Sequence, residues 1–204
     1  MLPLSLFTIR NFGWGNIATT FFYAALALGP LVVTLFLQQV AGYPATLAGL
    51  ATLPPALFSI FLGGTSGSLA GRFGSRLFMT VGPLLAAAGF AWMLLVRDPV
   101  DFWTQLLPGL LLFGLGLVAT VPALTSAVLG SIPPSRNGIA SAVNNAVARI
   151  SGLVAVAFLG VIVGPRLGVE GLHRALLVTL VLMLLAAAAS FAGIRRPESS
   201  PQAP

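Results

Sequence analysis

An all-α membrane protein, folded as a bundle of six transmembrane helices, is the fold class this sequence predicts. Three observations predict it. Six apolar stretches recur along the chain, each close to or above the roughly 20 residues a helix needs to cross a hydrocarbon core of about 30 Å. Of the 204 residues, 57% are hydrophobic and only 7% charged, with a mean hydropathy of +1.01, whereas a water-soluble domain carries about 25% charged residues. Nearly all the charges fall between the stretches. Only helices and closed barrels satisfy their backbone groups in lipid. These stretches are continuous and rich in Leu, Ala and Gly rather than alternating, which selects helices.

Residues 1–11 read as a short cytoplasmic segment carrying Arg10, ahead of a first span over 12–37. That run exceeds the roughly 7–15 residues of a secretory signal's apolar core, so it is expected to stay in the membrane. Gly42-Tyr43-Pro44 turns the chain into a second span over 47–70. A loop with Arg72 and Arg76 leads to a third span over 77–96, and Asp98-Pro99 separates it from a fourth over 105–130. Ser131-Ile132-Pro133-Pro134-Ser135 precedes the fifth, over 139–164. A loop holding Arg166, Glu170, His173 and Arg174 precedes the sixth, over 175–194. The tail, 195–204, is polar and rich in Pro and Ser, a composition expected to be disordered. Loops this short predict that consecutive helices are antiparallel neighbours. Pro30, Pro54, Pro55, Pro83, Pro108 and Pro122 fall inside the spans and predict kinks. Gly63, Gly64, Gly67, Gly109, Gly114 and Gly116 predict close helix crossings.

Loop charge sets the orientation. With the first helix leaving the cytoplasm, the inner side holds Arg10, Arg72, Arg76, Arg136, Arg195 and Arg196 against Glu198. The outer side holds Arg97, Arg166 and Arg174 against Asp98, Asp101 and Glu170. Both termini are therefore expected in the cytoplasm. The net charge of +6 is no nucleic-acid footprint, because the ten basic residues, all Arg, are scattered without a basic stripe. Without Cys there are no disulfides or thiolate metal sites. One His and four acids leave no material for a metal centre, a cofactor site or an acid–base pair, so no enzyme is expected.

Arg149 is the one basic residue well inside an apolar run. An Arg at a helix centre costs about 2.5–3.5 kcal/mol on insertion scales. Asn145 and Arg149 are i, i+4 neighbours on one face, with Asn144 and Ser141 near them. The face lines a cavity or gate, or else Arg149 snorkels to cytoplasmic water. Asn16, Thr20 and Tyr23 follow each other along one stripe of the first helix. Such a stripe lines a substrate path or makes interhelical hydrogen bonds worth about 0.6 kcal/mol each. His173 reads as a solvated loop residue, and no acid lies at mid-depth in any span. Trp14, Trp92 and Trp103 read as interfacial belt residues.

The loop after the second span, Gly67-Ser68-Leu69-Ala70-Gly71-Arg72-Phe73-Gly74-Ser75-Arg76, combines small residues, a glycine suited to a positive-φ turn at Gly74, and two rim arginines that reach helix C-terminal carbonyls or a carboxylate. The bland alternative is a basic loop that only sets topology. This run resembles the loop motif of the major facilitator superfamily, G-x-L-A-D-R-x-G-R-R/K, in its second-half copy. Gly67, Leu69, Ala70, Arg72, Gly74 and Arg76 match, while Gly71 replaces the Asp that in the family helps latch the cytoplasmic gate. Two further stretches resemble its fourteen-helix drug:proton antiporter branch: Leu35-Phe36-Leu37-Gln38-Gln39-Val40-Ala41-Gly42-Tyr43-Pro44, and Pro133-Pro134-Ser135-Arg136-Asn137-Gly138-Ile139-Ala140-Ser141 with Asn144-Asn145. The likeness covers roughly 4–165 and departs after Arg149, where Ser151-Gly152-Leu153 replaces a usual Gly-Gly pair.

The resemblance implies half of a major facilitator fold, the C-terminal six helices, with a 3+3 inverted repeat. Gly71-Arg72-Phe73-Gly74 and Pro165-Arg166-Leu167-Gly168 echo each other on opposite sides of the membrane, as inverted repeats would; chance gives four residues as readily. It implies alternating-access export of amphipathic organic compounds in exchange for protons, at a site walled by the first and fourth helices and by the fifth. It also implies a multi-pass protein of the cytoplasmic membrane whose partners are the lipid bilayer, the substrate, protons, and an N-terminal six- or eight-helix half or a second copy. The chain is then part of a longer protein or a half-transporter, without coupled transport of its own. The rival expectation is an inert membrane remnant or assembly partner.

Overall fold

A computed structural model of the chain describes residues 4–194; the polar tail at 195–204, with Arg195, Arg196 and Glu198, lies outside the described residues. Eight α-helices follow in order: α1 (Arg10–Gln39), α2 (Ala45–Ala51), α3 (Pro54–Phe73), α4 (Ser75–Met93), α5 (Leu107–Leu129), α6 (Asn137–Ala157), α7 (Leu159–Val163) and α8 (Val169–Gly193). They build six segments long and apolar enough to cross a membrane, α2 joining α3 in the second. The protein is an all-helical, multi-pass bundle.

The helix ends follow local chemistry more than hydropathy. Ahead of α1, Leu4–Thr8 forms a 3-10 turn, and Leu6 is buried against the bundle rather than extended into water. The second span is broken at Thr52 and Leu53, because Pro54 and Pro55 start a new helix, where a missing N–H costs nothing. Pro108 likewise opens α5, behind a π-helical turn at Phe102–Leu106. Asp101 caps that turn, accepting from the Trp103 N–H at 3.1 Å and the Thr104 hydroxyl at 2.6 Å. Of the prolines expected to kink spans, Pro30, Pro83 and Pro122 lie inside helices. The fifth span breaks at Phe158 and ends at Gly164, whose φ is 86°.

Two expectations about the segment before the sixth span need correction. The sixth helix starts at Val169, so Glu170, His173 and Arg174 belong to α8 and not to a loop. Hydropathy marks the apolar run, whereas the helix extends past it: Glu170 sits in the first turn, where an acid suits the helix dipole, and pairs with Arg174 at i, i+4. Nor is His173 merely solvated. Its Nε2 lies 3.0 Å from the Val96 carbonyl oxygen and ties the start of α8 to the end of the third span.

Neighbour relations also differ from the simple hairpin order. Among consecutive spans only the third and fourth, α4 and α5, pack extensively. Helix α1 packs on α8 and α6, α3 packs on α5, and α4 packs on α8. Lipid tails are as apolar as the side chains, so helices choose partners by close approach rather than by hydrophobicity. The α4–α5 seam illustrates this. Gly82 and Gly89 face Gly116 and Gly109, and a Cβ at Gly89 would stand 2.5 Å from the Gly109 carbonyl oxygen. Gly29 of α1 meets the Phe90 ring as closely, and that ring lies tilted against Phe113 at 5.1 Å between centroids. Gly63 and Gly64, expected at crossings, face open space.

Helices α3 and the α6 segment lie at the periphery: 17% and 22% of their most apolar windows are buried, against 44–50% for the other four spans. Polar groups inside the spans are satisfied locally. Thr19, Thr120, Thr179 and Ser190 each donate to the carbonyl four residues earlier. Pro122 leaves the Val118 carbonyl without its helical donor, and the Ser66 hydroxyl of α3 takes that place at 2.8 Å. One proline thereby joins α3 to α5.

Candidate functional site

The residues singled out in the first and fifth spans divide into two sets. Asn16 and Thr19 are buried, and the Asn144 amide of α6 donates to the Asn16 side-chain oxygen at 3.2 Å and to the Thr19 hydroxyl at 2.8 Å. The Asn16 amide in turn donates to the Phe12 carbonyl at 2.8 Å. This network fastens α1 to α6. Thr20 donates to the Asn16 carbonyl at 3.0 Å and borders a separate, almost wholly apolar groove of about 480 Å³ that reaches α8. Tyr23, Asn145 and Arg149 come together instead around an open cavity of about 550 Å³, whose remaining wall is apolar, with Leu26, Leu153 and Val156. The stripe Asn16–Thr20–Tyr23 is therefore covered at one end and open at the other.

Local sequence explains the cavity. Asn145 and Arg149 are one helical turn apart on α6, and both are exposed. Gly152, one turn further on the same helix, lets α6 approach α1: a Cβ there would lie 3.3 Å from the Ala27 methyl group. Ser151 faces inward and donates to the Val147 carbonyl at 2.7 Å. The cavity is walled by the first and fifth spans, and the fourth adds no residue to it. Of the expected wall of first, fourth and fifth helices, the fourth is missing from this cavity, because α5 is drawn into the glycine seam with α4 and into packing with α3.

At the opposite site, the rim loop, the motif residues separate by role. Gly74 has φ 94° and ψ 136°, the backbone that ends α3 and starts α4 in a single residue. Ala70 is buried; Gly67 stands where a Cβ would be 3.7 Å from Pro122. Leu69 and Arg72 are exposed, Arg72 in the last turn of α3, where a cation suits the helix dipole. Arg76 reaches across to α8: its Nε donates to the Phe191 carbonyl at 3.0 Å and its guanidinium lies 4.6 Å from the Phe191 ring centroid. Arg10 completes the arrangement, donating to the Ala192 carbonyl at 2.8 Å and the Gly193 carbonyl at 3.0 Å. The last four carbonyls of a helix lack intrahelical donors. Here the Ile194 N–H serves Ser190 at 3.1 Å, and two arginines serve the other three.

The family model described as the Major Facilitator Superfamily matches residues 2–156. The chain belongs to that superfamily. Among curated relatives, it is 29% identical over 154 residues to a multidrug export protein of Haemophilus influenzae, covering 76% of this chain and 30% of that protein. It is 32% identical over 167 residues to a cephamycin export protein of Amycolatopsis lactamdurans, covering 80% of this chain and 34% of that protein. It is 28% identical over 162 residues to a multidrug efflux pump of Mycolicibacterium smegmatis, covering 79% and 32%. The chain thus spans about a third of the length of the relatives it matches. By these likenesses this major facilitator chain is similar to part of proteins named as multidrug and cephamycin exporters.

Ser66 was not singled out in the sequence, and Arg10 entered only as a loop charge. Arg10 could have been found as the base of a helix, but its target, the end of α8, lies 182 residues away. Gly82 and Gly89, seven residues apart like Gly109 and Gly116, carried a readable spacing signal.

Proposed function

We propose that this chain is the C-terminal six-helix half of an efflux transporter that exports amphipathic organic compounds by alternating access, coupled to proton antiport. The observation that carries the reading is the cavity at Tyr23, Asn145 and Arg149, a polar patch in apolar walls left open on one side of the bundle. A second unit laid against that side closes it into a site at mid-membrane. The exposed faces of α3 and α6, with Ile60 and Phe61 on one and Leu153 on the other, supply apolar surface for such a unit or for lipid. The unit is an N-terminal six- or eight-helix half or a second copy, and it supplies the coupling carboxylates. Among the described residues the acids, Asp98, Asp101 and Glu170, sit at loops or in a first helical turn.

The inverted repeat belongs to the same reading. If α1, α3 and α4 exchange with α5, α6 and α8, the α1–α8 pair maps onto α5–α4 and the α1–α6 pair onto α5–α3. This packing symmetry supports the repeat. The sequence echo does not: positive φ occurs at Gly74 and Gly164, while Gly168 has φ −140°.

In proteoliposomes under an imposed pH gradient, the chain alone is expected to give no efflux of anilinonaphthalene sulfonate. Co-reconstituted with the N-terminal half of a multidrug exporter of the same family, it is expected to give efflux that collapses with the gradient. Proton-driven flux by the chain alone overturns the half-transporter reading, and no flux with any partner favours the inert remnant.

Orientation follows from charge in this proposal, with both termini in the cytoplasm of a cell-membrane protein. Arg10, Arg72, Arg76 and Arg136 mark the inner end. The chain has no Cys, so single cysteines report cleanly. A membrane-impermeant maleimide added to intact cells is expected to label Gly168→Cys and not Ser135→Cys. The reverse pattern inverts the topology.

A further inference from the structure

We propose that the cavity at Tyr23, Asn145 and Arg149 binds the negative group of an amphipathic organic anion, so that the exported compounds carry a carboxylate, sulfonate or comparable charge. The proposal rests on the export reading above and narrows its substrate class.

Arg149 carries a charge with no counter-charge among the described residues. Arg149 sits on α6 about twelve residues, or roughly 18 Å at about 1.5 Å per residue, from the start of that helix at Asn137. In a hydrocarbon core of about 30 Å that is mid-depth. A snorkelling side chain shortens the distance to water by no more than its own length. Yet none of the described acids is near it. Asp101 caps the turn before α5, Glu170 is paired with Arg174, and Asp98 lies in the loop between the third and fourth spans. A guanidinium kept ionised inside a membrane faces a water-filled cavity or an anion. The rest of the site selects the anion. Asn145 and Tyr23 line the same cavity and supply hydrogen-bond donors beside the guanidinium. An Arg fork binds a carboxylate or sulfonate through parallel N–H donors, and neighbouring amide and hydroxyl donors take the remaining lone pairs.

The other side of the cavity sets the remainder of the ligand. Leu26, Leu153 and Val156 form an apolar wall, and Leu153 is 72% exposed, bare surface that an aromatic or alkyl body covers. The volume, about 550 Å³, falls in the range of small-molecule sites, roughly 300–1,000 Å³. A cation in this cavity would meet a like charge, with no acid among this chain's described residues beside it to offset the charge.

Two dyes separate charge from apolar body: anilinonaphthalene sulfonate, an anion, and phenylnaphthylamine, which has the same ring body without the sulfonate. Each is titrated against the full chain in zwitterionic nanodiscs, with empty nanodiscs as background. Arg149→Gln is expected to weaken sulfonate binding about tenfold or more, the scale of losing a charge-assisted hydrogen bond. It is expected to leave phenylnaphthylamine within about twofold, which also reports that the variant is folded. Arg149→Lys, which keeps the charge, is expected to retain most of the sulfonate affinity. If Arg149→Gln binds the sulfonate as the natural chain does, the anion assignment is overturned while the export reading stands. If neither dye binds the natural chain above background, the cavity is not a ligand site and both fall.

Discussion

Leucine in place of Gly89 or Gly116 is expected to part α4 from α5 and to remove most of the folded population. A Cβ at Gly89 would stand 2.5 Å from the Gly109 carbonyl oxygen and 2.9 Å from the Phe113 amide nitrogen; one at Gly116 would stand 2.7 Å from the Ala86 amide nitrogen. These are backbone atoms of a neighbouring helix and cannot swing aside, so the helices themselves must separate. Overpacking costs about 1–3 kcal/mol where side chains can yield, and about 3 kcal/mol or more is expected here. The loss is not recovered by burying the leucine, since lipid already solvates it. Unfolding in mixed micelles, followed by Trp fluorescence, is expected to show the transition at markedly lower denaturant. Leucine at Gly63 or Gly64, which meet no atom within 4 Å, serves as the control and is expected to leave the transition unmoved within about 0.5 kcal/mol.

That contrast also shows what a sequence of this kind makes legible. The six spans were readable because membrane insertion depends on the sum of apolarity over a window, which needs no knowledge of neighbours. Which glycines pack was only partly readable: the matched seven-residue spacing of Gly82 and Gly89 with Gly109 and Gly116 is a signal, but Gly63 looks no different from Gly109 until α5 is placed against α4. Helix ends escaped for a related reason. The start of α8 at Val169 is held by Glu170, Arg174 and the His173 contact to Val96, charged and polar groups that a hydropathy window treats as loop.

The polar residues were found as a cluster but not sorted. Asn144 and Asn145 are consecutive, about 100° apart around α6, so only one can face α1. Asn144 does, and meets Asn16 and Thr19; Asn145 is left on the cavity with Arg149. The sorting depends on the rotation of α6 about its own axis, set by Gly152 against Ala27 and by buried Ala140, Val143 and Ala148. A stripe drawn on an isolated helix cannot contain that information. One residue of sequence separates a structural hydrogen bond from a cavity-facing amide.

Removing both rim arginines, Arg10→Ala with Arg76→Ala, is expected to fray the end of α8 and loosen the rim. Together they supply the donors for the Phe191, Ala192 and Gly193 carbonyls, and each sits at the negative end of the helix dipole. Hydrogen bonds to charged groups contribute about 1.5–3 kcal/mol when shielded. Both side chains are exposed, so about 2–3 kcal/mol for the pair is the expected scale. Trp14 adds a packing limit: its ring lies so close to Gly193 that no side chain fits there, which presses the end of α8 onto α1. Hydrogen exchange of the amides at 190–194 is expected to quicken roughly thirtyfold to a hundredfold in the double variant, with each single change giving a smaller part. The effect should be local, leaving the amides around Phe90 and Met183 protected. Arg72→Ala is the discriminating control, since Arg72 has no hydrogen-bond partner among the described residues and serves only its own helix end. If Arg72→Ala quickened exchange at the end of α8 as much as the double variant, the rim would be acting through loop charge alone. If only the double variant does so, Arg10 and Arg76 join the first and third spans to the sixth, so that the rim ends of these helices move as one piece.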